Sequence, residues 1–124
     1  MPPAIRGYAG KCVNDLNNGS ANGTKIVLSS CTGGAAQNWV YTKNKLIHNG
    51  RCLTDPANGG NGTRLILNGC SSAKADLWVH KPNGEYVLAA DSGKLCLNAP
   101  ASSNSAQLDV HAFQNTANQR WTLP

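Results

Sequence analysis

The sequence predicts a single all-β domain built from three repeats of about forty residues. Each of the three tryptophans closes a similar motif, and the motifs are Gln37-Asn38-Trp39, Asp76-Leu77-Trp78 and Gln119-Arg120-Trp121. The 13 glycines and 6 prolines, together with many Asn and Ser residues, break the chain at short intervals. No stretch keeps a helical period, so we expect almost no helix.

Each repeat shows the same elements in the same order. A cysteine and an aliphatic residue come first, at Cys12-Val13, Cys52-Leu53 and Cys96-Leu97. A turn signal follows, at Asn22-Gly23-Thr24, Asn61-Gly62-Thr63 and Asn104-Ser105-Ala106. The turn leads into a short alternating strand, such as residues 25–29.

The predicted strands place apolar residues two apart, on one face. These residues are Ile26 and Leu28, Leu65 and Leu67, and Leu108 and Val110. We expect this face to pack inward with the three tryptophans. One repeat alone would leave the face bare, so the three repeats must close on one another.

The repeated motifs resemble the ricin-type β-trefoil lectins, including the family-13 carbohydrate-binding modules of secreted glycoside hydrolases. The resemblance extends from about residue 5 to residue 123. It implies a β-trefoil of twelve short strands with pseudo-threefold symmetry and up to three shallow sugar pockets. We place the repeats at approximately 5–42, 43–83 and 84–124, and interpret residues 1–4 as a linker remnant or tag.

The cysteines predict two disulfides and a secreted, extracellular protein. Cys12 with Cys31 and Cys52 with Cys70 would close loops of nearly equal size, and no C-x-x-C zinc spacing occurs. Phe113 stands where a partner for Cys96 would be expected. Cys96 is then either a buried small hydrophobic residue against Phe113, or a reactive thiol that forms an intermolecular disulfide.

The sequence contains no apolar run long enough for a signal peptide or a membrane span. We therefore expect an excised module whose secretion signal, and a tethered glycoside hydrolase, lie outside the chain. The alternative is a free-standing lectin in its mature form. In both cases we expect a monomer without a membrane partner.

Composition argues against catalysis, cofactors and nucleic-acid binding. Glu85 is the only glutamate, and the aspartates and histidines are dispersed, with no acid/base pair, nucleophile motif or metal-ligand spacing. The formal charge is +5, but the 11 Lys and Arg residues are scattered, and only Lys43 and Lys45 approach a cluster. A solvated surface explains them better than a polyanion site, although an acidic polysaccharide stays open as a target.

A sugar site needs one planar side chain for the apolar face of a pyranose and polar groups for its hydroxyls. By the resemblance, the third repeat keeps this set best. Asn98 lies where the family has an Asp, Asp109 replaces the usual Gln, and His111 takes the stacking position. Asn118 and Gln119 form the Asn-Gln pair. We predict that the third-repeat pocket is the working site.

The first two repeats keep the set less well. In the first, Asn14 and Asp15 follow the cysteine and Gln37 remains, but Val27, Ser29 and Ala36 replace binding residues. In the second, Thr54 and Asp55 follow the cysteine, Ile66 and Asn68 occupy the strand positions, and Ala75 and Asp76 replace Asn-Gln. We expect both pockets to be structural unless Asp15 or Asp55 bends into its pocket.

The function predicted from these features is non-catalytic carbohydrate binding. The resemblance implies galactose-type or pentose-containing targets such as galactan, arabinogalactan or xylan. The alternative is a β-trefoil scaffold that binds protein, as inhibitors of this fold do, because two pockets are degraded.

Overall fold

The computed structural model of the chain describes residues 4–124 and shows an all-β fold in that range. The strands are β1 (Cys12–Asp15), β2 (Thr24–Ser29), β3 (Val40–Thr42), β4 (Lys45–His48), β5 (Arg51–Thr54), β6 (Ile66–Gly69), β7 (Trp78–His80), β8 (Tyr86–Leu88), β9 (Leu95–Asn98) and β10 (Asp109–Ala112). The helical segments between them are single 3₁₀ turns of three residues. None of the helical segments within residues 4–124 could therefore span a membrane. Most of the interpreted linker, residues 1–3, lies outside the described residues.

The structure contains ten strands in residues 4–124, whereas the resemblance implied twelve. The two missing strands correspond to the ends of the chain. Arg6 makes one isolated bridge to Cys12, and the Thr122 N–H donates to Arg6 O at 2.8 Å. Each end thus makes too few ladder hydrogen bonds to form a strand, but the two ends bond to each other and close the ring of repeats.

The strands form two antiparallel sheets. The first has the order β1-β2-β6-β5-β4-β3, and the second has the order β10-β9-β8-β7. Isolated bridges Val27↔Gln107 and Arg64↔Asp109 join the sheets, and the pair Lys25↔Ile66 is their equivalent within the first sheet. Every one of these pairs connects two different repeats, so the three repeats are related by a pseudo-threefold axis.

A triangle of backbone hydrogen bonds lies where the repeats meet. Ile26 N–H donates to Leu65 O at 3.3 Å, Leu65 N–H to Leu108 O at 2.9 Å, and Leu108 N–H to Ile26 O at 2.9 Å. The three side chains are fully buried, as the alternating pattern predicts. Each repeat therefore supplies one backbone donor and one acceptor that only its neighbours can satisfy.

The predicted turns make a second set of contacts between repeats. Gly23, Gly62 and Ser105 occupy equivalent positions with φ of 90°, 85° and 69°. This left-handed region suits glycine and is strained for Ser105. Their N–H groups donate to Leu67, Val110 and Leu28 of the adjoining repeat at 2.7 to 2.8 Å.

The three tryptophans are buried in the core, as predicted. Each indole Nε1–H donates to the carbonyl of the residue after the first cysteine of its repeat. The pairs are Trp39 with Val13, Trp78 with Leu53 and Trp121 with Leu97, at 3.1, 3.0 and 3.1 Å. Burial of the ring and satisfaction of its one polar group account for a tryptophan at this place in every repeat.

Both predicted disulfides are present, Cys12–Cys31 and Cys52–Cys70. Cys96 is a free cysteine with no exposed surface, while Phe113 is 48% exposed. Burial, with a smaller contribution from Glu85, raises the pKa of the Cys96 thiol to about 12. This geometry favours the buried small residue over the intermolecular disulfide.

We predict that Cys96 is inert to thiol reagents in the folded protein. A pKa of about 12 instead of 9.0 leaves about a thousandfold less thiolate, and burial blocks access as well. Reaction with a chromogenic disulfide reagent should release one thiol in denaturant and almost none without it. Cys96→Ala should release none in either condition. A covalent dimer on non-reducing electrophoresis would contradict this prediction.

Candidate functional site

The polar residue two before each tryptophan is buried in all three repeats and ties the local loop together. Gln37 Oε1 accepts from Thr32 N–H at 2.8 Å, and Gln119 Oε1 accepts from Gln114 N–H at 2.8 Å. Asp76 plays the same part in the second repeat, where Oδ2 accepts from Ser71 N–H at 2.7 Å. These three predicted site residues therefore have a structural role whether or not a ligand is bound.

Each of these residues also bonds the side chain two residues after the first cysteine. Gln37 Nε2 donates to Asn14 Oδ1 at 3.1 Å, and Gln119 Nε2 donates to Asn98 Oδ1 at 3.2 Å. In the second repeat the polarity is reversed, because the Thr54 hydroxyl donates to Asp76 Oδ1 at 2.8 Å. A carboxylate can only accept hydrogen bonds, and the groups around Asp76 are accordingly hydroxyl donors.

Four of the five predicted third-repeat residues form one network. Asn98 Nδ2 donates to Asp109 Oδ1 at 2.8 Å across the β9–β10 pair. Asn118 Nδ2 donates to Asn98 Oδ1 at 3.1 Å, beside the bond from Gln119. Asn98 and Asp109, which stand where the family pattern has an Asp and a Gln, are therefore hydrogen-bonded to each other. Asp109 keeps its second oxygen free of bonds to residues 4–124.

His111 lies two residues after Asp109 on β10, so both side chains are on one strand face. Its ring is half-buried. Asn61 of the second repeat holds it: His111 Nε2 accepts from Asn61 Nδ2 at 3.3 Å, and Asn61 Oδ1 accepts from Ala112 N–H at 2.7 Å. We call the surface formed by Asn98, Asp109, His111 and Asn118 the third-repeat dimple.

Asn61 is a site residue that the sequence analysis interpreted only as part of a turn. The equivalent Asn104 also reaches into the next repeat, where its Oδ1 accepts from Ser30 N–H at 3.1 Å. The recurrence of Asn at this turn in all three repeats was the available signal. Comparison of the repeats does not show the direction of this side chain, which points to a different repeat.

Burial raises the pKa of Asp109 above the ordinary aspartate value. The hydrogen bond from Asn98 and the nearby charges of His111 and Arg64 oppose this shift. A buried carboxylate with one free oxygen is a strong acceptor for a ligand hydroxyl, because it is little solvated by water.

Asp15 does not bend into the first-repeat pocket. It is fully buried, and its Oδ2 lies 2.9 Å from His48 Nε2 on β4 of the second repeat. Apart from this contact, neither carboxylate oxygen has a partner in residues 4–124. His48 Nδ1 lies 2.8 Å from Asn38 O, and Nε2 also lies 3.1 Å from Asn18 Oδ1, so both ring nitrogens face oxygen atoms.

The second repeat has an open cavity of about 440 Å³ lined by both polar and apolar groups. Four predicted residues line it: Thr54, Asp55, Asn68 and Asp76. The carboxylate of Asp55 bonds its own loop, accepting from Ala57 and Gly59 N–H at 2.9 Å each. The cavity therefore offers polar groups, but Asn68 stands at the stacking position and supplies no ring.

Within residues 4–124, no group of three or more His, Cys, Asp or Glu side chains is arranged to hold a metal ion. The three histidines are separate. His80 Nε2 contacts Trp121 O at 2.8 Å, and its ring packs 4.5 Å from that of Tyr86.

The sequence matches the profile of the ricin-type β-trefoil lectin domain over residues 2–121. No curated protein sequence matches it significantly. Among solved structures, an agglutinin from Abrus precatorius is 28% identical with a TM-score of 0.90, and the match covers 98% of this chain and 47% of the agglutinin chain. The chain thus spans about half the length of that relative.

Two more distant structures show the fold alone. The designed threefold-symmetric protein ThreeFoil is 22% identical with a TM-score of 0.84, and the match covers 98% of this chain and 96% of that one. The C-terminal half of an earthworm R-type lectin, solved in complex with GalNAc, is 14% identical with a TM-score of 0.83, with coverage of 98% and 95%.

We predict that His48→Gln lowers the free energy of unfolding by about 3 kcal/mol, because it removes the one side chain in residues 4–124 that makes a polar contact with the buried Asp15 carboxylate. Burial, opposed by His48, already raises the pKa of Asp15. Because the pKa of Asp15 is higher in the folded than in the unfolded protein, protonation of Asp15 stabilises the folded state. This stabilisation is lost as the pH rises through the pKa of the folded protein. The variant should therefore be more stable at pH 4 than at pH 7 relative to its control.

The control for this prediction is the double variant Asp15→Asn/His48→Gln, which has no carboxylate to titrate. Urea denaturation at the two pH values should show the acid-dependent recovery only in the single variant. An equal deficit for His48→Gln at both pH values would contradict the buried pair.

Proposed function

The chain belongs to the family of ricin-type β-trefoil lectin domains, and from this we propose that it is a non-catalytic carbohydrate-binding domain that uses mainly the third-repeat dimple. One observation carries the choice of repeat. Only the third repeat combines a ring at the stacking position with a buried carboxylate on the same strand face, as His111 and Asp109 do. The equivalent positions hold Ser29 and Val27 in the first repeat, and Asn68 and Ile66 in the second.

The dimple has the chemistry that one pyranose requires. The His111 ring offers a flat surface for the C–H face of the sugar, and Asn61 restrains its orientation. The free oxygen of Asp109 would accept from one hydroxyl, and the Asn98–Asn118 network behind it keeps the carboxylate in place. Adjacent acceptors and donors suit a pair of vicinal hydroxyls.

The ligand class that we propose is a galactose-type or pentose-containing glycan such as galactan, arabinogalactan or xylan. A single shallow site binds weakly, so retention on a polymer would come from several sites or from tethering to another domain. We propose that the natural protein is secreted, in keeping with its two disulfides, and that the domain is attached to a glycoside hydrolase.

The absence of catalysis is part of the proposal. Three of the buried carboxylates have a structural partner: Asp15 contacts His48, Asp55 accepts from N–H groups of its loop, and Asp76 accepts from Ser71. The third-repeat dimple holds one carboxylate, that of Asp109, whereas glycoside hydrolysis uses a pair.

A protein-binding scaffold is the second candidate, and one surface favours it. An apolar cavity of about 320 Å³ is lined by Trp39, Val40, Tyr41, Leu123 and Pro124, and Val40 and Leu123 are more than half exposed. Exposed apolar area of this kind is typical of protein contacts. A glycan array with no bound sugar, together with a protein ligand that Val40→Glu releases, would favour this alternative.

We predict that the three equivalent stacking positions differ in importance. His111→Ala should weaken binding to galactan about tenfold, because it removes the flat ring. Ser29→Ala and Asn68→Ala, the same change in the other repeats, should leave the affinity within a factor of about two. Titration with galactan oligosaccharides, followed by calorimetry, measures all three.

His111→Tyr keeps a planar ring at the same place and should retain binding. Tryptophan fluorescence and thermal unfolding of each variant confirm that it is folded. Loss of binding in Asn68→Ala with no loss in His111→Ala would contradict the prediction and place the site in the second repeat.

We also predict that binding is lost on acidification at a pH above the ordinary aspartate range. Burial raises the pKa of Asp109, and protonation removes an acceptor that the sugar uses. As pH falls through this raised pKa, affinity should fall with it. Asp109→Asn should bind weakly at pH 7 and show no transition in this range, which separates Asp109 from a titration of His111. An unchanged pH profile in that variant would exclude Asp109 from the site.

A further inference from the structure

A further cavity, of about 400 Å³, adjoins the third-repeat dimple. Asp109 is part of the lining of this cavity. Its volume is within the range of small-ligand sites. Two cationic side chains line it, Lys25 from the first repeat and Arg64 from the second, together with Gln107 from the third. We call it the axial cavity.

The repeat explains why these residues meet. Lys25, Arg64 and Gln107 immediately precede the three residues of the backbone triangle. The triangle side chains point inward, so the preceding residues point outward around the pseudo-threefold axis. Two of these three equivalent positions carry a positive charge, and the third is neutral.

Neither cationic side chain donates a hydrogen bond to a residue in the described part of the chain. Lys25 and Arg64 form no ion pair with residues 4–124, where the one pair is that of His48 and Asp15. Lys11 Nζ donates to Ser102 O at 2.6 Å, and Arg120 Nη2 donates to Asn115 Oδ1 at 2.6 Å, whereas the side chains of Lys43 and Lys45, like those of Lys25 and Arg64, donate to no residue in that range. Lys25 and Arg64 differ from Lys43 and Lys45 because they come from different repeats and line one cavity.

We propose that the axial cavity binds an anionic group, a carboxylate or a sulfate ester, on a glycan whose neighbouring sugar occupies the third-repeat dimple. This inference rests on the proposed function and names its ligand class as acidic glycans. Arg64 has the planar fork that pairs with a carboxylate or a sulfate, and Lys25 adds a point charge. Because Asp109 lines the cavity and belongs to the dimple, one chain could pass directly from one to the other.

The carboxylate of Asp109 does not prevent this. It is 9% exposed, and its Oδ1 accepts a hydrogen bond from Asn98. With Asp109 ionised, two cations still leave the cavity with a net positive charge.

The test compares two double variants that each remove two positive charges. Lys25→Gln/Arg64→Gln alters the axial cavity, and Lys43→Gln/Lys45→Gln alters the β3–β4 turn as a matched control. Affinity electrophoresis in gels that contain polygalacturonate, sulfated galactan or neutral galactan gives the affinities. The wild-type protein should bind at least one acidic polymer more tightly than neutral galactan.

The cavity variant should lose about tenfold in affinity for the acidic polymer, whereas the control should change by no more than about twofold in physiological salt. The polygalacturonate and sulfated-galactan arms identify the anion as carboxylate or sulfate. Thermal unfolding of both variants verifies that they are folded.

Equal losses in the two double variants would overturn the inference, because attraction would then follow net charge alone. Wild-type binding to neutral galactan without preference for an acidic polymer would overturn the inference and leave the proposed function intact. Retention by none of the three polymers, with no hit on a glycan array, would overturn both.

Discussion

The backbone triangle of Ile26, Leu65 and Leu108 is the contact on which the rest of the structure depends. A repeat taken alone would expose its apolar face and leave one donor and one acceptor of the triangle without partners in a dry environment, which is costly. Closing the ring satisfies these groups and buries the three tryptophans together. The triangle also fixes the residues next to it in sequence, and Asp109 in the dimple and Arg64 in the axial cavity are among them.

Polar residues in the three pockets serve the fold first. Gln37, Asp76 and Gln119 each hold a loop and a strand together, so they would be retained in a repeat that binds nothing. A polar side chain at a family binding position is therefore weak evidence for binding in this architecture. The features that separate the repeats are those that the fold does not need, such as the His111 ring and the free oxygen of Asp109.

The sequence was sufficient to predict the repeat, the buried tryptophans, the inward strand faces and both disulfides, because each is a local pattern repeated at a regular spacing. It predicted less well where a side chain leaves its own repeat. Asp15 pairs with His48, and Asn61 supports His111, and neither partnership is visible when the repeats are aligned on one another. The count of strands was also wrong at the chain ends, where the backbone has a neighbour for only one or two hydrogen bonds.

The reach of Asn61 into the third repeat means that the complete dimple is formed by two adjoining copies of the motif. Residues 84–124 transferred alone to another protein would contain His111 without Asn61, which holds its ring. Three tandem copies of that segment would behave differently: Asn104 of each copy would take the place of Asn61 toward the next, which gives three equivalent dimples. The same chain would have Gln107 at every axial position, so it would combine three dimples with an axial cavity that has no cationic side chain.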